Sequence, residues 1–305
     1  MYYFIVNEMG GSGRSHELWK KIKNRLDDSG IDYSFYITKY KGHAEKIAGM
    51  VSEYDDDDIS IIVVGGDGTI NEVLNGISDF SRVKFGVIPT GSGNDFINGL
   101  GFDTDSDEAL NRIIESTETR LIDIGQVQGD DLAPRCFGIS CGIGMDAIVC
   151  KNADDSGLKK FLNKIHKGDL TYKLMTVITL FSMEYMKATV SFDGREKYFK
   201  KLIFLSGMNM PAEGGGVPMR PDADSSDGII SFLAADSIGR TNAFFKLPKL
   251  VAGKHNKARG FYFDSGSDIK IKTERPAVLH LDGEYYGDVS DVHIKCLNKV
   301  LKIIV

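Results

Sequence analysis

The amino-acid sequence predicts an α/β-plus-β protein: an N-terminal doubly wound domain on a parallel sheet, then a mostly antiparallel, β-sandwich-like domain. Over residues 1–90, apolar β-branched stretches alternate with segments whose apolar residues recur every three or four positions. Beyond about Leu121 that spacing gives way to short strand patterns separated by turn signals such as Asp193-Gly194 and Asp227-Gly228. The run Gly65-Gly66-Asp67-Gly68-Thr69 marks a corner where strand hands over to helix. The expected domains are residues 1–122 and 123–305, with the active site in the cleft between them. The last strand, 292–305, is free to return to the first domain.

Taken in order, Tyr2–Val6 is a strand and residues 7–13 a glycine-rich turn; Leu18, Trp19, Ile22 and Leu26 then mark one helix face. A second strand at Ser34–Ile37 leads to a helix carrying Ala44, Ile47, Ala48 and Val51. Ile59–Val64 is continuously apolar, as a strand buried on both faces must be, and Ile70, Val73, Leu74 and Ile77 form the next helix face. Val83–Ile88 is the fourth strand. Repeated βα units imply a parallel sheet, whose ligands gather at the carboxyl ends of its strands. In the second half, strands are expected at Ile122–Gln128, Arg135–Cys141, Ala188–Phe192, Lys197–Leu205, Gly228–Ala234, Gly260–Phe263, Ile269–Lys272, Ala277–Leu281 and Val292–Val305. A helical insertion is expected near 158–187.

The 305 residues, 42% hydrophobic and 26% charged, describe an ordinary soluble globular protein. A formal net charge of −6 argues against general nucleic-acid binding, which needs a basic surface. Cys136, Cys141, Cys150 and Cys296 form no C-x-x-C pair and read as reduced thiols of a cytoplasmic protein. The N-terminus lacks the features of a signal peptide, and no stretch of about 18 apolar residues is present to span a membrane. The Asp55–Asp58 run fits no calcium loop and reads as a solvated turn.

Chemistry concentrates in a few places. At Gly65–Thr69 a helix N-terminus offers backbone N–H groups to phosphate, and an Asp inside such a loop makes sense if magnesium accompanies the phosphates. A second glycine turn, Thr90-Gly91-Ser92-Gly93-Asn94-Asp95-Phe96, follows the fourth strand. Neither loop has the P-loop or dinucleotide pattern. Gly142-Ile143-Gly144-Met145-Asp146-Ala147 formally satisfies G-x-G-x-x-A but lies in the β-rich half, outside the context that motif requires. Asp282 and Glu284 flank a glycine as in a hairpin turn; beside a nucleotide loop they become candidates for metal binding and general base work. Asp222, Asp224 and Asp227 can ligate a hard cation or form Asx turns.

Together these residues resemble the diacylglycerol kinase catalytic-domain family, in particular its soluble bacterial lipid kinases. The resemblance runs in order through Asn7 and Gly10–Gly13, Gly65–Glu72, Thr90–Phe96, Gly142–Asp146, Asn209 with Gly214–Gly216, Pro221–Gly228 and Asp282–Glu284. It implies an ATP- and magnesium-dependent lipid kinase, with diacylglycerol converted to phosphatidic acid as the first expectation. The nucleotide is expected against Asn7, Glu8, Met9, Gly10, Gly11, Thr38, Gly66, Asp67, Gly68, Thr69, Ile70, Asn71, Glu72, Thr90, Asn94 and Asp95. By the same resemblance Asp67 holds catalytic magnesium with Asp95 and Asp282 nearby, and Glu284 accepts the proton of the lipid hydroxyl. Asp224, Asp227 and the Ile229 carbonyl correspond to a structural magnesium site. Glu8 and Ser92 depart from the family pattern, which usually has proline and threonine there.

Such an enzyme must meet a membrane surface from the cytoplasmic side. Leu158, Phe161, Leu162 and Ile165 lie at helical spacing among Lys159, Lys160, Lys164 and Lys167. That stripe reads first as a face packed on the protein and second as a membrane-surface helix. Competing readings are a kinase of another lipid alcohol such as a sphingoid base or prenol, a dinucleotide-dependent oxidoreductase using Gly142–Ala147, and a catalytically silent lipid-binding regulator. An exposed edge strand would also allow a homodimer.

Overall fold

A computed structural model describes residues 1–9, 14–56, 58–130, 132–155, 168–256 and 258–305. Two units emerge: Met1–Ile124 with Ser225–Gly228 and Leu297–Val305, and Gly125–Asp224 with Ile229–Cys296.

In the first unit, β1 (Tyr2–Val6), β2 (Tyr33–Ile37), β3 (Ile59–Gly65) and β4 (Val83–Pro89) run parallel in the order β4-β3-β1-β2. All seven residues of β3 are buried, as a central parallel strand requires. Phe4, Val6, Ile62 and Val64 pack with Trp19, Ile22 and Leu26 of α1 (Arg14–Ser29). Helices α2 (His43–Ser52) and α3 (Asp67–Gly76) pack on one another and on the central strands. After β4 come the short α4 (Asp95–Gly99) and then α5 (Ser106–Glu115), which closes the face covered by α1 with Leu110 and Ile113. The sequence reading passed over α5, although its signal is present: Asp105 caps the N–H groups of Asp107 and Glu108, and Ala109, Leu110 and Ile113 are buried at helical spacing. The chain leaves β1 for β2 on one side and returns to β3 on the other, so the strand order reverses between β1 and β3. Open sheets bind ligands at the carboxyl ends of such a pair.

The second unit is mostly antiparallel. Its strands are β6 (Arg135–Phe137), β7 (Ser140–Gly144), β8 (Met186–Phe192), β9 (Arg195–Met208), β10 (Ile230–Asp236), β11 (Phe261–Gly266) and β12 (Asp268–Leu281). Two long strands contribute to both units, β5 (Thr119–Gly129) and β13 (Glu284–Ile304), and the end of β13 pairs in parallel with β4. β7 and β8 occupy successive stretches of the gap between β9 and β12. Alternation along β10 separates two cores. Ile230, Phe232 and Ala234 join the sandwich interior with Phe192, Phe199 and Leu279, while Leu233 and Ala235 face the opposite way. On that opposite face lie Leu180 of α7 (Gly168–Ser182) and Ala243 and Leu250 of α8 (Arg240–Val251). A further helix, α6 (Met145–Asp155), follows β7 directly.

Two expectations need correcting. Arg135–Cys141 is not one strand, because the N–H groups of Gly138, Ile139 and Ser140 turn to a side chain, the Asp282 carboxylate, instead of a neighbouring strand. Ile269–Lys272 and Ala277–Leu281 are one strand interrupted by a register shift. Residues 158–167, read as a basic amphipathic stripe, lie outside the described residues.

Asp123 explains why Ser225–Gly228 and the chain's end belong to the first unit. It is fully buried, and its carboxylate accepts the Gly228 and Lys299 N–H groups, each at 2.6 Å, while its own N–H donates to the Ser225 carbonyl. Replacing it strands two partly buried amide donors, for which water makes up some of the loss. Asp123→Ala is therefore expected to lower unfolding free energy by about 1–3 kcal/mol in urea titrations; a loss under about 0.5 kcal/mol contradicts the assignment.

Candidate active site

The reversal point between β1 and β3 carries the loop that the sequence singled out. Asn7 follows β1 and donates its N–H to the Val64 carbonyl at 2.9 Å; its side-chain amide reaches the Thr69 hydroxyl at 2.9 Å. Gly66 stands at the N-cap of α3 with no side chain capping the helix. Amides in the first turn of an uncapped helix are donors available to an anion. Thr69 and Ile70 return their N–H groups to the Gly66 carbonyl, which fixes the loop.

The second glycine loop packs against the first, backbone to backbone. A Cβ on Gly91 would lie 3.0 Å from the Gly66 Cα and 2.8 Å from the Asn94 side-chain oxygen, so neither side chain nor gap separates the loops. Thr90 extends the contact by donating its N–H to the Gly65 carbonyl, and its own buried hydroxyl finds no hydrogen-bond partner among the described residues. Asp67 locks the arrangement: its carboxylate accepts the N–H groups of Asp95 at 3.1 Å and Phe96 at 3.2 Å.

Other residues expected at the nucleotide have bonds that serve the loops. Glu72 accepts the Gly42 and Ala44 N–H groups, capping α2. Asn71 is buried and accepts from Asn75; Ile70 is buried in the core. Asn94, left-handed at φ 52°, bonds the Gly91 carbonyl. Thr38 ties its N–H to the Val6 carbonyl, Glu8 pairs with His16 at 3.1 Å, and Met9, highly exposed, bonds the Asn7 side chain. Gly10 and Gly11 lie outside the described residues.

In the second unit, Asp282 and Gly283 form the two-residue turn joining β12 to β13, both with positive φ (48° and 83°), as tight hairpins require. The Asp282 carboxylate accepts three backbone N–H groups, those of Gly138, Ile139 and Ser140, at 2.8–2.9 Å. Glu284, the first residue of β13, is half-buried beside this turn. Asp224 and Ile229 lie at the edge of the same unit, whereas Asp227 is assigned to the first.

The sequence reading missed an acidic cluster here. Asp146, Glu213 and His280 bring their ligating atoms within 4.8 Å of one another, with His280 buried. Burial alone would push the His280 imidazole down, but the adjacent Asp146 carboxylate, 3.5 Å away, holds it above its ordinary value. Asp146 also accepts from the Ser206 hydroxyl. His280 Nδ1 accepts the Gly283 N–H at 3.3 Å, which leaves the proton of the neutral ring on Nε2, facing Asp146. Magnesium prefers oxygen ligands, so the set suits a buried polar brace under the hairpin better than a magnesium cage. Asp146 lies in the second half of the G-x-G-x-x-A match, and that match begins on β7, which pairs antiparallel with both β9 and β12. The parallel βαβ context of a dinucleotide site is therefore missing, which removes the oxidoreductase reading. The two buried thiols are unsuited to act as nucleophiles: burial pushes the Cys136 thiol up to about 11 and the Cys141 thiol well above its usual range.

Two glycine loops beside an uncapped helix N-terminus, at the carboxyl ends of a parallel sheet, are the arrangement expected of a phosphotransferase. Residues 1–127 match the diacylglycerol kinase catalytic domain, and residues 139–305 match the YegS C-terminal NAD kinase beta sandwich-like domain. The chain belongs to the bacterial diacylglycerol/lipid kinase family, and it is a lipid kinase. Similar curated proteins include the diacylglycerol kinase of Bacillus subtilis, 29% identical with 90% of this chain and 88% of that one covered. The diacylglycerol kinase of Staphylococcus carnosus is 27% identical, with 93% and 89% covered. Among solved structures, a diacylglycerol kinase of Bacillus anthracis matches in fold with a TM-score of 0.72 at 23% identity, over 99% of this chain and 96% of that one.

Gly91→Ala tests the loop contact, since its new methyl must displace either the Gly66 backbone or Asn94. We expect nucleotide affinity, measured calorimetrically with a non-hydrolysable ATP analogue, to fall at least about tenfold, or about 1.4 kcal/mol. Unchanged affinity would place the nucleotide elsewhere.

Proposed function

We propose that this enzyme transfers the γ-phosphoryl group of ATP to the hydroxyl of diacylglycerol, producing phosphatidic acid, as a peripheral enzyme at the cytoplasmic face of a membrane. The observation that carries the proposal is the pair of glycine loops after β3 and β4, packed backbone to backbone and joined by Asp67, beside the uncapped N-terminus of α3. Two of the similar curated proteins, named diacylglycerol kinases, support diacylglycerol as the acceptor.

In this proposal Asn7 to Gly11, Thr38, Gly66 to Thr69, Thr90 and Asn94 cradle the nucleotide. Ile70, Asn71 and Glu72 keep α3 in place behind them. Asp67 and Asp95 are the carboxylates of the first unit proposed as ligands of catalytic magnesium; Asp282, Asp224 and the Ile229 carbonyl are proposed cation ligands of the second unit, and Asp227 a further one of the first. The bound ion supplies charge neutralisation for the triphosphate. Asp67 and Asp282 also make backbone bonds that use only part of a carboxylate's accepting capacity, so the two duties are compatible. Glu284 accepts the proton of the acceptor hydroxyl as the oxygen attacks phosphorus. Phosphoryl transfer asks little covalent chemistry of a protein, so placement and charge do most of the catalysis.

Kinetics of two variants test this. Glu284→Gln is expected to lower kcat on diacylglycerol by about 10²–10⁴-fold, the usual contribution of a general base, while leaving ATP affinity unchanged. Asp67→Asn should lose both turnover and the magnesium dependence of ATP binding. Wild-type turnover by Glu284→Gln would remove the base assignment.

A further inference from the structure

Helices α7 and α8 each bury one face and leave the other uncovered. Leu180 of α7 and Ala243 and Leu250 of α8 pack with Phe204, Leu233 and Ala235 of the sheet. On the outer side of α7, Leu174 (51% exposed), Ile178 (55%) and Phe181 (47%) recur at a spacing of four and then three residues, which places them on one stripe. On α8, Phe245 is 70% exposed and Phe244 also stands in solvent. The Phe181 and Phe244 rings lie 6.2 Å apart, and those of Phe244 and Phe245 lie 5.5 Å apart, so the two stripes merge into one apolar patch. Isolated exposed apolar residues are ordinary, but a contiguous patch with aromatic tips marks an interaction surface.

The charge around the patch is as unusual as its apolar area. The chain carries a net charge of −6, yet from Ile238 to Phe263 it has Arg240, Lys246, Lys249, Lys254, Lys257 and Arg259 with no acidic residue. Lys249, Lys254 and Arg259 are exposed. Arg240 and Lys246 donate to the backbone carbonyls of Met183 and Arg259; Glu184, an acidic neighbour of Arg240, is itself paired with Arg275. A second copy of this chain is a poor occupant, because a two-fold contact would set this basic face against itself. No described helix is long and apolar enough to cross a membrane.

We propose that the α7–α8 face docks the enzyme onto an anionic lipid bilayer, its aromatic and aliphatic side chains entering the headgroup boundary while the flanking cations meet anionic headgroups. The inference rests on the lipid-kinase reading for its purpose, since it names the surface through which a bilayer-resident substrate is reached; docking itself is measurable without turnover.

Flotation of the full chain with vesicles through a sucrose gradient tests it, comparing equal mixtures of phosphatidylglycerol and phosphatidylcholine with phosphatidylcholine alone. Wild type should associate with the anionic vesicles and only weakly with the neutral ones, and added salt should release it. Phe181→Ser/Phe245→Ser and Lys249→Glu/Lys254→Glu should each reduce association at least about tenfold. Both double variants should keep the wild-type melting temperature and the wild-type rate on a short-chain diacylglycerol dispersed in detergent. Wild-type association by both variants overturns the proposal, as does failure of wild type to prefer anionic vesicles. A wild-type dimer in sedimentation that the variants dissociate, with flotation unaltered, assigns the face to self-association instead. Normal flotation without any turnover of diacylglycerol leaves docking in place and removes only the proposed substrate.

Discussion

The contact of Gly66 with Gly91 is the constraint on which the candidate site depends. Two loops from adjacent parallel strands can approach backbone to backbone only where neither carries a side chain, and the spacing leaves no room for a methyl on Gly91 without displacement. Asp67 then acts across the contact, drawing the amides of Asp95 and Phe96 toward α3. An acidic residue in a phosphate loop is unfavourable on charge alone, and these amides offset part of that cost before any cation arrives. The loop is thereby held in shape by the residue proposed to bring a metal to it.

The same economy governs the second unit. Asp282 sits in a left-handed turn, a conformation that costs a non-glycine residue some free energy, and its carboxylate gathers three backbone amides. Those bonds break the run Arg135–Cys141 into β6 and β7 and fix the turn from which Glu284 begins β13. Beneath the turn, His280 accepts the Gly283 amide and faces Asp146, so the hairpin is braced on both sides by buried polar groups. Asp282's three amide bonds and the His280–Gly283 bond hold the turn in one geometry.

Much of this was legible in the residues themselves. Apolar runs followed by glycine-bearing turns marked β1, β3 and β4, and the Asp282-Gly283 pair marked its hairpin, because strand burial and positive φ leave local signatures. What escaped the sequence depends on distance along the chain. The bonds from Asp123 to Gly228 and Lys299, and the meeting of Asp146, Glu213 and His280, join residues more than sixty positions apart. No periodicity reports such pairings. Helix α8 was missed for a different reason: Pro248 inside it and an apolar face turned to solvent contradict the usual amphipathic pattern.

Amide hydrogen exchange with and without magnesium-ATP probes the central claim most directly. Protection should rise at residues 66–69 and 90–96, where the loops meet at the β1/β3 reversal, with little change in the strands beneath them. Protection confined to other segments, or none at all, would contradict a nucleotide held by these amides.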